Sequence, residues 1–295
     1  MTVAVAVAAR ESTLRWARPS PAVAAAAYYV VAGSTTLVFL FPVAWVLLSS
    51  VQRGGHASAG SGWLPSTLSL ENYRTLTRIG AGLWHYSWNS FVVAAASALA
   101  VAVLCTLAGY GFSRFRFAGR RVAFVISLVA IMVPFQTVLT PLFIVLRVLG
   151  LQNTLLGLGI VYTTFHLPLG ILLMLAAFEA VPRTLDEAAT IDGARTVSLL
   201  GRVLLPLVMP SVVTVVLINF IASWNEFLAA LILMTDQSNY TMPVMLVTIS
   251  FGYLGAVDWG ALQAGTVVTI LPCLALTVAF QRFYVQGLLA GSTKG

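Results

Sequence analysis

The amino-acid sequence predicts an all-α membrane protein with six transmembrane helices, on three observations. The 295 residues are 59% hydrophobic and 8% charged, with a mean hydropathy of +0.94, whereas soluble domains carry about 25% charged residues. Six apolar runs each reach the roughly 20 residues that a helix needs to cross a bilayer core. Basic residues also alternate between dense and sparse in successive connections, as topology-setting charge does.

The spans are predicted at Val23–Leu48, Asn89–Phe112, Val122–Leu146, Leu155–Phe178, Ser211–Met234 and Gly260–Phe280. In hydrocarbon the backbone must satisfy its own hydrogen bonds, so each is read as a helix. Pro42, Pro134, Pro141, Pro168 and Pro272 interrupt spans, which is tolerated where neighbours or cavities satisfy the freed carbonyls. Residues 1–22 form a tail, 23–282 the membrane domain and 283–295 a second tail. The charges of the first tail follow its first apolar stretch, so it is read as a cytoplasmic segment before an uncleaved anchor.

With the N-terminus inside, the cytoplasmic segments hold twelve of the Lys and Arg residues and the outer ones four. Both termini are therefore expected on the cytoplasmic side of the membrane. The +7 net charge is accounted for by these arginines and does not point to nucleic acid. Cys105 and Cys273 each sit inside a span, apart from any CxxC or Cys/His grouping, and indicate neither a disulfide nor a metal site. The outer loop 52–88 carries Trp63, Tyr73, Trp84, Tyr86 and Trp88, a composition suited to the membrane interface. A second outer connection covers 235–259.

The connection 179–210 differs from the rest. It gathers four of the nine acidic residues, Glu179, Asp186, Glu187 and Asp192, with three arginines. Thr184 and Glu187 have the spacing of a capping box. Gly193 is placed to end the helix in a left-handed cap. The predicted helix, Leu185–Asp192, is too short to be stable alone, so it must dock on something. Ala188 and Ala189 leave it a flank that another protein can approach closely.

Glu187-Ala188-Ala189, then Asp192-Gly193-Ala194, then Leu205-Pro206 and Pro210 resemble the EAA loop of permease subunits in ABC importers, most closely the carbohydrate branch. Glu71-Asn72-Tyr73, Asn89-Ser90, Gly109-Tyr110, Trp224-Asn225-Glu226-Phe227 and the tail from Gly287 extend the resemblance along nearly the whole chain. It is narrowest to the shorter, six-span permease of the maltose-transporter type. Thr196 and Leu200 depart from residues common in that pattern.

The resemblance implies a type I importer permease fold. It also implies that Glu187, Ala188, Ala189, Asp192 and Gly193 couple to an ATPase, and that Pro206 sets the bend into the next span. The implied partners are a second permease, two copies of the ATPase and an extracytoplasmic solute-binding lipoprotein, which the 235–259 connection would meet. No cofactor is expected in this chain, since ATP and magnesium would be bound by the ATPase. The sequence has no GxxxxGK[ST] run and one lysine, Lys294, so a phosphate-cradling loop is excluded.

An ionisable residue at membrane depth is a functional candidate by default, and Glu226 is one. Asn219 lies seven positions before it on the same expected helix face, with Asn225 adjacent. Packing cluster and solute contact are both open readings for this group. With Tyr162, Thr163, His166 and Trp224 they make up the candidate solute pathway, for a carbohydrate or sugar-like solute. A secondary transporter is the alternative, but such folds usually show internal repeats and several intramembrane carboxylates. That alternative also leaves the charged loop unexplained; an intramembrane metalloprotease is excluded by the absence of HExxH, while a purely structural membrane scaffold stays open on the sequence alone.

Overall fold

A computed structural model describes residues 20–52, 67–252 and 257–292, and side chains as far as residue 281. Most of the first tail, the stretch 53–66 with Trp63, and Lys294 therefore lie outside the described residues. The chain divides into two units, residues 1–47 and 48–295. The first is occupied by most of helix α1 (Pro21–Ser50), which contains Pro42. Ser34 and Thr36 donate their hydroxyl protons to the carbonyls of Val30 and Ala32, so neither leaves a bare donor in an apolar run.

The second unit begins at the last turn of α1. Helix α2 (Glu71–Arg78) is fastened to it by Asn72, whose Nδ2 donates to the Ser50 and Gln52 carbonyls at 2.8 Å each. Of the aromatics in this region, Trp84 and Trp88 are exposed, while Tyr86 is buried and its hydroxyl accepts from the Ala81 amide. Long helices follow: α3 (Leu83–Arg114), α6 (Leu155–Ala180), α8 (Thr196–Asn225) and α11 (Trp259–Ser292). The α3–α6 pairing is the most extensive in the structure. It is close-packed at two glycines, Gly109 and Gly170, as small residues allow in membrane bundles. A buried hydrogen bond of 3.1 Å from Ser97 to Ser223 ties α3 to α8.

Among the described residues five helices are long and apolar enough to cross a membrane, or six when a bent pair counts as one span. That pair corrects the third predicted span. Val122–Leu146 is not one helix but α4 (Arg120–Ile131) and α5 (Phe135–Val148), which meet at 105°. Pro134 sits at the break with extended backbone and starts α5, where its missing N–H costs nothing.

The fifth predicted span, Ser211–Met234, is also corrected. Its helix begins earlier, at Thr196, and ends at Asn225, and a separate helix α9 (Leu228–Leu233) follows. The connection after it does not stand free. Helix α10 (Met242–Ser250) buries Met242, Met245 and Ile249 in a cluster with Leu76, Tyr86, Ala261 and Ala264.

Candidate coupling surface and solute pathway

The charged connection folds as helix α7 (Thr184–Ile191), eight residues long. The expected capping box is not formed. Arg183, not Thr184, is the flanking residue; it is already in helical conformation, and no side chain caps the terminus. The C-terminal expectation is met. Gly193 has φ +80°, its amide donates to the Thr190 carbonyl, and the Ala194 amide donates to the Ala189 carbonyl. These are the two bonds of a Schellman motif. They turn the chain sharply toward Thr196.

Because so short a helix cannot hold itself, its position depends on bracing. Arg114, at the end of α3, places Nε 2.7 Å from Oδ2 of Asp186, with side chains 7% and 19% exposed. The same guanidinium donates through Nη2 to the Val181 carbonyl at 2.9 Å. Arg183 reaches the opposite way and donates to the Ser113 carbonyl at 2.9 Å. Ala189 packs on a core cluster that includes Phe178, Leu199 and Leu204.

The two alanines therefore part company. Ala189 and Asp186 face inward and are half-buried, while Glu187 and Ala188 are exposed. Leu185, Ala188 and Ile191, at three-residue spacing, form an outward apolar face. Ile191 is 86% exposed on it, and Val197 just beyond is 83% exposed. Between α7 and the membrane run, Leu199–Leu204 is wound as a π-helix. Pro206 follows directly. A proline ring clashes with the carbonyl four residues back, and a wider turn at that point relieves the clash.

Of the pathway candidates, the structure joins Tyr162 and Glu226. The buried Tyr162 hydroxyl donates to Oε2 of Glu226 at 2.7 Å. The same carboxylate accepts from the amides of Ala229, at 3.0 and 3.1 Å, and Ala230, at 3.3 Å, across the gap before α9. Glu226 lies beyond the end of α8, so it does not share a helix face with Asn219. Asn219 is buried, and its amide donates to the Val215 carbonyl one turn back. Trp224 is buried, stacks on Phe220 and donates its indole N–H to the Thr269 carbonyl of α11. Asn225 is exposed and donates to the Ile221 carbonyl. His166 is half-buried one turn after Tyr162, and its Nδ1 has no hydrogen-bond partner among the described residues.

Glu226 thus closes a broken span. Glu226→Ala is expected to remove a helix cap, worth about 1 kcal/mol. It also strands the Tyr162 hydroxyl, at a cost of about 1–3 kcal/mol. Thermal unfolding of the purified protein should show a clearly lower midpoint, with Glu226→Gln milder because its amide oxygen still accepts. An unchanged midpoint with lost uptake would assign the carboxylate to the solute instead.

The profile of the family described as binding-protein-dependent transport system inner membrane component matches residues 98–288. The chain belongs to this family. It is a multi-pass inner-membrane protein, and the match includes α7, Gly193 and the Glu226 break. The trehalose/maltose transport system permease protein MalG of Thermococcus litoralis is 34% identical over 260 residues, covering 88% of this chain and 93% of the relative. The trehalose transport system permease protein SugB of Mycobacterium tuberculosis is 33% identical over 256 residues, covering 87% and 92%.

A bacterial ABC transporter involved in the import of the acidic polysaccharide alginate contains a chain that superposes with a TM-score of 0.77 at 22% identity. The superposition covers 90% of this chain and 98% of that one. At that identity the likeness establishes the fold, that of an ABC importer permease. Sequence reasoning did not find Arg114, Arg183, Leu185, Ile191 and Val197 as parts of the α7 surface in this membrane component. For the arginines the signals were their position at the ends of apolar runs and, for Arg183, its place in the charged connection.

Proposed function

We propose that this chain is the permease subunit of an ABC importer for a carbohydrate, and that α7 transmits the work of ATP hydrolysis to the spans. The observation that carries this reading is the two-sided construction of α7. One face is fixed to the end of α3 by an ion pair, while the other presents Glu187 beside an exposed apolar strip of Leu185, Ala188 and Ile191. An exposed apolar strip with a charged rim suits a protein partner.

On this reading the partners are a second permease, two ATPase copies and an external solute-binding protein. ATP and magnesium sit on the ATPase. The α7 end of the bundle and both termini face the cytoplasm, in agreement with the arginine bias. Permeases named for trehalose and maltose among the relatives support a di- or oligosaccharide as solute. Closure of the ATPases would push α7, and through Arg114 the end of α3, rocking the spans between inward-open and outward-open states.

The test is solute-dependent ATPase activity of the assembled complex in lipid. Glu187→Ala is expected to leave basal hydrolysis intact and to cut solute stimulation by about tenfold or more, within the usual range of coupling energies. Wild-type stimulation in a fully assembled Glu187→Ala complex would overturn the assignment.

A further inference from the structure

A cleft of about 700 Å³ opens at the same end of the bundle as α7, between the end of α3, the start of α4 and the end of α6. Its wall is aromatic and aliphatic: Phe112, Phe117, Phe124 and Leu172 line it, with Phe112 ring centroids 6.0 Å from Phe117 and 6.1 Å from Phe124. Its rim carries Arg120, Arg121 and Glu179. Gly119, at φ +82°, turns the chain so that α4 begins at the rim, and no side chain caps that terminus.

The two arginines at this rim are not paired among the described residues. Arg114 has Asp186, but Arg120 and Arg121 form no ion pair or side-chain hydrogen bond among the described residues. Around them Phe117, Val122 and Val125 are exposed. Guanidinium groups among exposed apolar side chains at the end of a span mark the headgroup layer of a bilayer. A ligand for this cleft must therefore join an anion to a hydrocarbon body.

We propose that the cleft holds one anionic phospholipid of the phosphatidylglycerol type. Its phosphate lies on Arg120 and Arg121, a glycerol hydroxyl donates to Glu179, and an acyl chain lies along the phenylalanine wall. Charge counting selects the headgroup. Two guanidinium groups and one carboxylate leave a single net positive charge, which a monoanionic lipid neutralises and a zwitterionic lipid does not. Arginine suits the role because its planar fork meets phosphate oxygens in pairs.

The inference rests on the inner-membrane placement but not on the coupling reading, since a permease that fails to couple would still hold the lipid. The importer complex, purified in non-ionic detergent, would be titrated with phosphatidylglycerol or phosphatidylethanolamine and observed by native mass spectrometry. The wild-type complex should retain one more tightly held phosphatidylglycerol than the Arg120→Gln/Arg121→Gln complex. Affinity at that position should fall about thirtyfold, the effect of two basic side chains near a headgroup. Arg120→Lys/Arg121→Lys should bind with an affinity between the two, keeping the charge but losing the paired contacts to phosphate. The intact mass of each complex verifies that the variants assemble. Equal phosphatidylglycerol retention by wild type and the glutamine variant would overturn the proposal, as would equal retention of phosphatidylethanolamine and phosphatidylglycerol by wild type.

Discussion

Arg114→Ala should disconnect α7 from the bundle while leaving the spans folded. The guanidinium makes two separate contacts, Nε to Asp186 at 2.7 Å and Nη2 to the Val181 carbonyl at 2.9 Å, and its side chain is 7% exposed. Removing it leaves the Asp186 carboxylate, itself 19% exposed, without a counter-ion. Breaking a buried pair from one side costs about 3–5 kcal/mol, and the partial access of Asp186 to water places this case toward the lower figure. That exceeds what an eight-residue helix can supply for itself. The loss should therefore appear as local undocking.

Hydrogen exchange is the direct measurement. Amides of residues 181–195 should exchange faster in Arg114→Ala, with those of α6 unchanged, and solute-stimulated ATPase activity should fall in the same variant. Arg114→Lys should recover little, because an ammonium keeps the charge but cannot make both contacts from one planar group. A double-mutant cycle with Asp186→Ala should show coupling of about 0.5–3 kcal/mol, the range for residues in contact. Unchanged exchange in Arg114→Ala would mean that the Ala189 packing, rather than the ion pair, positions the helix.

What the sequence disclosed and what it concealed divide along the range of the interaction responsible. The predicted Leu155–Phe178 is close to the observed Leu155–Ala180 even with Pro168 inside it, because a long apolar run between loop residues defines a membrane-length helix with little help from elsewhere. Gly193 was legible for a similar reason. A left-handed helix end is a property of two or three residues, and glycine adopts it without penalty.

The bounds and continuity of the third and fifth spans differ from expectation because hydropathy counts apolar residues without direction. Pro134 and Glu226 were both visible as irregularities, but nothing local distinguishes a kink from a 105° turn, or a polar residue in a helix from one that ends it. The inferred shared face of Asn219 and Glu226 fell with that error. At α7 the Thr184 cap was a sound local expectation that lost to tertiary contacts, since Arg183 is drawn toward Ser113 and Asp186 toward Arg114. Those partners are remote in sequence, and a single sequence carries no record of which remote charges meet.

Gly109→Val should be severely damaging to the bundle, because it wedges the α3–α6 crossing apart. A Cβ at Gly109 would stand 2.7 Å from Met174 Cβ, 2.8 Å from the Met174 carbonyl carbon and 2.9 Å from the Leu175 amide nitrogen. Two of those neighbours are backbone, so no rotamer change relieves the contact and the helices themselves must move. The crossing is doubly constrained, since a Cβ at Gly170 would meet Cys105 Sγ at 2.5 Å. In lipid no hydrophobic force compensates for lost contact between helices, so close packing is the larger part of what holds them together.

Two effects of opposite sign compete at such a position. Replacing glycine by alanine in a helix gains about 1 kcal/mol of propensity, while overpacking a tight site costs about 1–3 kcal/mol and sometimes more. With backbone in the way, and with a β-branched side chain in place of a methyl, the overpacking cost should prevail. Gly111 supplies the contrast, because a Cβ there meets nothing within 4 Å. Gly111→Ala should therefore melt at or slightly above the wild-type temperature, while Gly109→Val should melt far lower or fail to assemble with its partners. Equal behaviour of the two variants would mean that the helices do not approach as closely as these distances require. Since Arg114 lies just beyond Gly109 on the same helix, a Gly109→Val protein that does fold should also couple poorly, with the brace for α7 displaced along with the end of α3.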